Sequence, residues 1–258
     1  MKIALCQFDM AWEDKRTNKT RISELMENCG RTAEIDWIIF PEMTLTGFTM
    51  NTAAAELDES DLAFFSDFAR KYNTWVSFGG VIDRNNRLVT FNRKGEKINE
   101  YSKIHQYAFG GESEHYTPGS EMTSFDLEGM TVCPTICFDL RFPYLFWEVS
   151  EKVDIFVNIA VWPARRADHY TTLVRARATE NQCYCIGVDR TGTEPFGEKT
   201  IEFSGNSSVV DPLGRVLLDC GTQDGIHICE TPVEKDKVTT TRQRFPFYKE
   251  KRSDYRRI

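Results

Sequence analysis

Two cysteines stand four residues apart in "TVCPTICFDLRFP" (131–143), an apolar run that ends abruptly in Asp, Arg and Pro. Cys137 closes the run and the residues after it force a turn, which puts its thiol at the carboxyl end of a strand, where α/β folds commonly hold reacting groups. Cys133 lies inside the strand and is expected to pack. No disulfide can join them in that strand, because four extended residues hold the sulfurs about 13 Å apart at roughly 3.3 Å per residue. Cys137 is therefore the candidate nucleophile. A thiol of ordinary pKa is only a few per cent thiolate at pH 7, so it needs a base or a neighbouring cation. None of His105, His115, His169 and His227 carries a recognisable Cys–His protease signature. Glu42, closing "DWIIFPE" (36–42), and Lys103, closing "INEYSK" (98–103), occupy places comparable to that of Cys137. Singly, each reads as an ordinary solvated strand end. Together with Cys137 they could perform acyl chemistry without a metal. The Glu would take the thiol proton, and the Lys would favour the thiolate and then the oxyanion formed at a carbonyl or nitrile carbon.

These side chains need elements to hold them. "KIALCQF" (2–8) reads as a strand, and apolar residues at three- and four-residue steps predict a helix over 15–34. A second helix fits 61–72. The middle of the chain reads as β: "WVSFGGVI" (75–82), then hairpins over 87–103 and 122–137 that turn near Lys94-Gly95 and Glu128-Gly129. Helix and strand alternate afterwards: helix 143–151, strand 153–161, helix 166–181 and strand 183–189. A hairpin at 207–219 turns on "DPLG", and a strand covers 225–230. Hairpins mixed with strand–helix units predict two mixed β-sheets covered by helices in one domain over 1–258. The charged, aromatic tail, about 234–258, is expected to pack on a partner or fray.

Composition narrows the partners. At 41% hydrophobic and 28% charged the chain is of ordinary globular make-up, and a net charge of −7 leaves no basic surplus for nucleic acid or anionic membranes. No run reaches the roughly 20 apolar residues of a membrane span. The start is a poor signal peptide, so a cytoplasmic setting with eight reduced cysteines is expected. There is no CxxC and the histidines are scattered, which argues against a metal site.

"FPEMTLTGF" (40–48), "YSKIHQY" (101–107) and "ICFDLRFP" (136–143) resemble, in order, the three signature segments of the nitrilase, or carbon–nitrogen hydrolase, superfamily. The likeness extends to the opening strand, to "VNIAVWPARRADHYTTLVRARATENQCYCIGVDRTG" (157–192) and to "GNSSVVDPLGRVL" (205–217), so it covers roughly residues 1–220. It implies a four-layer αββα sandwich, no cofactor, and a homodimer or higher homo-oligomer whose interface the tail would cross. By motif, Glu42 is implied as general base, Lys103 as the transition-state lysine and Cys137 as nucleophile. The superfamily's second carboxylate falls on Glu112, counting back from the Pro-Gly of "GGESEHYTPG" (110–119), with Glu114 as rival. The Phe138 backbone N–H would share the oxyanion with Lys103, and Asp139 would pair with Arg141 to shape the turn.

The segment "VWPARRADHY" (161–170) resembles the ω-amidase-like branch, which hydrolyses the terminal amide of 2-oxoglutaramate and related dicarboxylate monoamides. On that reading Arg166 clamps the substrate carboxylate, Trp162 forms a pocket wall and His169 makes a structural hydrogen bond within its helix. Arg165 and Tyr170 depart from the branch pattern. Nitrilases, carbamoylases and other superfamily members share the same catalytic residues and stay open as alternatives, with a catalytically silent scaffold behind them.

Overall fold

The computed structural model of the protein describes residues 1–252. The strands follow one another as β1 (Ile3–Gln7), β2 (Trp37–Ile39), β3 (Trp75–Ile82), β4 (Asn85–Phe91), β5 (Lys97–Ser102), β6 (Phe125–Leu127), β7 (Met130–Ile136), β8 (Ile155–Ile159), β9 (Tyr184–Val188), β10 (Thr191–Phe196), β11 (Lys199–Ser204), β12 (Ser208–Val210), β13 (Val216–Asp219) and β14 (Gly225–Ile228). The helices are α1 (Lys15–Asn28), α2 (Thr52–Ala55), α3 (Glu59–Tyr72), α4 (Glu112–His115), α5 (Pro143–Val149), α6 (Ala167–Asn181) and α7 (Lys235–Arg244). They build two six-stranded mixed sheets, ordered β14-β1-β2-β3-β4-β5 and β13-β12-β9-β8-β7-β6. Strands β1–β2–β3 run parallel, as do β7–β8–β9, while the outer pairs of both sheets are antiparallel.

Side-chain alternation explains the layering. Ile3, Leu5, Trp37 and Ile39 point from the first sheet toward Val132, Ile155 and Val157 of the second. Ala4, Cys6, Ile38 and Phe40 point the other way, onto Ile22 and Met26 of α1 and Phe65 and Phe68 of α3. Across the molecule, Phe146 of α5 packs edge-on to Phe156, with ring centroids 4.9 Å apart. Tyr170, Val174 and Ala178 of α6 join the same buried cluster. The order of layers is helix, sheet, sheet, helix, as the mixed sequence pattern predicts.

Several local expectations shift. Helix α1 stops at Asn28 rather than continuing to 34, because Gly30 takes a left-handed φ of 66° and a short 3₁₀ turn follows. Strand β2 covers only three residues of 36–42, since Pro41 cannot donate to a ladder. The two-stranded hairpin β10–β11 was not expected. The described part of the tail packs on its own chain: Arg242 Nη2 donates to the carbonyls of Ser150 at 2.9 Å and Val153 at 2.7 Å, and Tyr248 Oη to that of Asn181 at 2.7 Å. The arm's remaining residues, 253–258, lie outside the described residues. No described helix is long and apolar enough to cross a membrane.

Candidate active site

Glu42 lies three residues beyond β2, Cys137 directly after β7 and Val161 two residues beyond β8, all at carboxyl ends of parallel strands. Lys103 follows β5 immediately. Facing sheets therefore bring their strand ends to one crevice. Gly79 on β3 permits the close approach: a Cβ there would stand 2.6 Å from Met43 N and 2.7 Å from Glu42 Cα. Met43 and Cys137 both adopt left-handed backbone, with φ of 44° and 45°, conformations disfavoured for side chains of their size and concentrated at functional sites.

The charged groups interlock in the buried interior. Lys103 Nζ donates to Glu42 Oε1 at 2.9 Å and to Glu112 Oε2 at 2.8 Å, and each of the three residues is at most 1% exposed. Glu112 Oε2 also accepts from Tyr107 N at 2.6 Å. Glu114, the rival carboxylate, is exposed. The Lys103 ammonium lies 5.3 Å from the centre of the Phe48 ring, on whose face a cation is favoured. Asn86 Nδ2 donates to both carboxylates, to Glu42 Oε1 at 2.7 Å and to Glu112 Oε1 at 2.9 Å.

Cys137 meets this cluster at Val161. Its Sγ sits 3.8 Å from Val161 O, a weak S–H···O contact, while Val161 N donates to Glu42 Oε2 at 2.9 Å. Burial, with the Glu42 charge adding to it, drives the thiol well above its ordinary pKa, and Lys103 only partly opposes them. The resting thiol is protonated and needs a base. Burial also raises Glu42, aided by Glu112 and resisted by Lys103. For Lys103 burial disfavours the charge, but Glu112, Glu42 and Cys137 outweigh it and keep the ammonium charged. Cys133 is 1% exposed inside β7, its thiol pushed up to about 12 by burial.

The turn carrying Cys137 is a 3₁₀ helix, Cys137–Arg141. Asp139 does not pair with Arg141; residues two apart on such a turn point away from each other. Its carboxylate instead accepts from Tyr101 Oη at 2.8 Å, His105 N at 2.8 Å and Ile136 N at 3.1 Å, tying the Cys137 turn to the segment that holds Lys103. Arg177 of α6 donates twice to Leu140 O, at 2.7 and 3.1 Å, and fixes the turn from the other side.

Outward from Cys137 opens a cavity of about 220 Å³ with Phe48, Tyr107, Phe138 and Trp162 in its walls. Two cations face it. Arg166 Nη1 donates to Tyr107 Oη at 3.2 Å, and Trp162 Nε1 donates to Arg166 O at 2.9 Å. The Arg141 guanidinium lies over the Trp162 ring at 4.7 Å and donates to His169 Nδ1 at 3.3 Å. His169 is thus exposed and bonded outside its helix, contrary to expectation. Among the described residues neither arginine forms an ion pair with a carboxylate. Burial and the nearby Arg166 charge both hold the Arg141 pKa below its ordinary value. Sequence reasoning missed Arg141, Asn86 and the β10–β11 residues Glu194, Ile201 and Phe203, which close the cavity.

The carbon–nitrogen hydrolase family matches residues 2–243. The chain belongs to that family. It is 31% identical to the omega-amidase YafV of Yersinia enterocolitica over 257 residues, covering 96% of this chain and 95% of the relative. It is 28% identical to the 2-oxoglutaramate amidase of Bacillus subtilis, covering 98% of each. Among solved structures, XC1258 of Xanthomonas campestris, a CN-hydrolase superfamily protein with an arsenic adduct in its active site, superposes with a TM-score of 0.88 at 27% identity, over 98% of this chain and 97% of that one. The protein is a carbon–nitrogen hydrolase acting on amides.

Proposed function

We propose that the protein is a cysteine-dependent ω-amidase, releasing ammonia from the terminal amide of a small dicarboxylate monoamide such as 2-oxoglutaramate. Glu42 takes the Cys137 proton as Sγ attacks the amide carbon. The oxyanion rests on the Lys103 ammonium and the Phe138 N–H, which lies in the first turn of a 3₁₀ helix and has no partner within that turn. Glu42 returns its proton to the leaving nitrogen, and the C–N bond breaks to give ammonia and a thioester. A water then enters, Glu42 removes its proton, and hydroxide attack releases the acid and the Cys137 thiol. Glu112 holds Lys103 in place throughout.

The observation that carries the substrate assignment is the pair of arginines, Arg141 and Arg166, turned into an otherwise largely apolar cavity beside Cys137 without carboxylate partners. A substrate carboxylate would supply the charge that they lack, and a guanidinium fork suits it. The names of the relatives point to the same class. Ammonia release from 2-oxoglutaramate, succinamate and propionamide tests the reading. Turnover of the two acids but not propionamide, lost in Cys137→Ala, is the expected result. Turnover of propionamide as fast as succinamate would overturn the carboxylate requirement, and preferential hydrolysis of the corresponding nitriles would move the protein to another branch.

A further inference from the structure

Asn86 is buried, 2% exposed, at the start of β4, between the two carboxylates of the charged cluster. Both hydrogens of its side-chain nitrogen are used, one on Glu42 Oε1 at 2.7 Å and one on Glu112 Oε1 at 2.9 Å. Its main-chain oxygen accepts from Lys103 N at 2.9 Å, so the same residue also fixes the backbone that presents the ammonium. The side-chain oxygen, in contrast, is buried without a partner. An unpaired buried carbonyl is unfavourable, and native proteins keep few of them. Turning the amide over would set that oxygen against two carboxylates, so the cluster itself dictates its orientation.

Counting acceptor sites shows what this arrangement does. A carboxylate oxygen has two. Asn86 and Lys103 fill both on Glu42 Oε1. Val161 N fills one on Oε2, which leaves a single open acceptor site on the oxygen held at Val161, the residue whose carbonyl the Cys137 thiol touches. We infer that Asn86 is a positioning residue: by occupying Glu42 Oε1 it directs the basicity of Glu42 to Oε2, toward Cys137, and by bridging to Glu112 it keeps the two carboxylates and Lys103 in one rigid unit. This inference rests on the reading of Glu42 as the base for Cys137.

The test measures kcat/KM on succinamate against pH, and in parallel the pH dependence of Cys137 alkylation by iodoacetamide, for wild type, Asn86→Ala, Asn86→Ser and Glu42→Gln. Removing a donor from an ionised carboxylate favours its protonated form, so the acid limb of both alanine-variant profiles should move to higher pH. The plateau of kcat should fall roughly ten- to a hundredfold, below the full contribution of a general base. Serine keeps one donor and should recover part of both losses. If both variants retain the wild-type limb and differ only in thermal midpoint, or if neither folds, Asn86 is structural and the inference is overturned. If Glu42→Gln leaves the wild-type acid limb in place, the reading of Glu42 as base fails, and the inference falls with it.

Discussion

Replacing Arg141 with Met tests whether a side chain on the turn that carries Cys137 recognises the proposed substrate. The substitution keeps the unbranched stem over Trp162 and removes the charge, which lies 4.7 Å from that ring. A hydrogen bond to a charged group is worth about 1.5–3 kcal/mol, or roughly 10- to 150-fold in binding at 1.36 kcal/mol per tenfold. Arg141 is only part-buried, so water screens its contact and the lower end applies: roughly ten- to thirtyfold. The expectation is a KM for succinamate raised by that factor, with kcat within about threefold of wild type. The product succinate, assayed as a competitive inhibitor, should weaken by the same factor. Stability should not fall, because burial and the nearby Arg166 charge both disfavour the Arg141 cation in the free protein and the substitution removes that cation. A drop in kcat with KM and succinate inhibition unchanged would refute this reasoning and leave Arg141 as a scaffold for the Cys137 turn.

Two further outcomes follow from the same geometry. Burial lifts Glu42 above its ordinary value of 4.5, so kcat/KM should decline as pH falls through a limb lying above 4.5, and a limb at or below that value would contradict the role of Glu42 as base. Because the folded-state pKa is the higher one, protonation favours the native state: the contribution of Glu42 to stability should grow as pH falls from that raised value toward 4.5. Urea unfolding of wild type and Glu42→Gln across this window measures the difference. Gly79→Ala would push a methyl against the Met43 and Glu42 backbone at 2.6 and 2.7 Å, contacts that no side-chain rotation relieves. It should cost about 1–3 kcal/mol of stability and lower kcat as well; a variant with wild-type melting and turnover would show that β3 does not set the position of Glu42.

What the sequence made legible was the part written in strand ends. Glu42, Lys103 and Cys137 each stand at a strand end, which makes them candidates only when taken together, and the resemblance of their segments to the superfamily's signatures supplied their roles. The choice between Glu112 and Glu114 depended on which way a four-residue helix turned, and only the fold shows Glu112 inward on Lys103. Proximity in sequence suggests Arg141 as a partner for Asp139. On a 3₁₀ turn the two diverge, Asp139 into the interior and Arg141 into the cavity. The hairpin β10–β11 escaped because Gly192, Pro195 and Gly197 interrupt its alternation, although Ile201 and Phe203 keep the period that places them against the cavity. Helix α7 has Val238 as its lone buried apolar side chain, too little for a hydrophobic stripe. Contacts such as those of Arg242 with four carbonyl groups hold it instead. Asn86 gave no signal at all, since a lone amide in a hairpin strand has nothing in its neighbours to mark it.

In the proposed mechanism, carbon–nitrogen bond cleavage passes through an acyl group on Cys137. Rapid acid quenching of wild type with succinamate, followed by peptide mass analysis, tests it most directly. The expected result is a succinyl mass increase on the peptide spanning both cysteines, fragmentation that assigns it to Cys137, the same adduct in Cys133→Ala, and neither adduct nor ammonia in Cys137→Ala. Ammonia release that survives Cys137→Ala, or an acyl group found on Cys133, would contradict it.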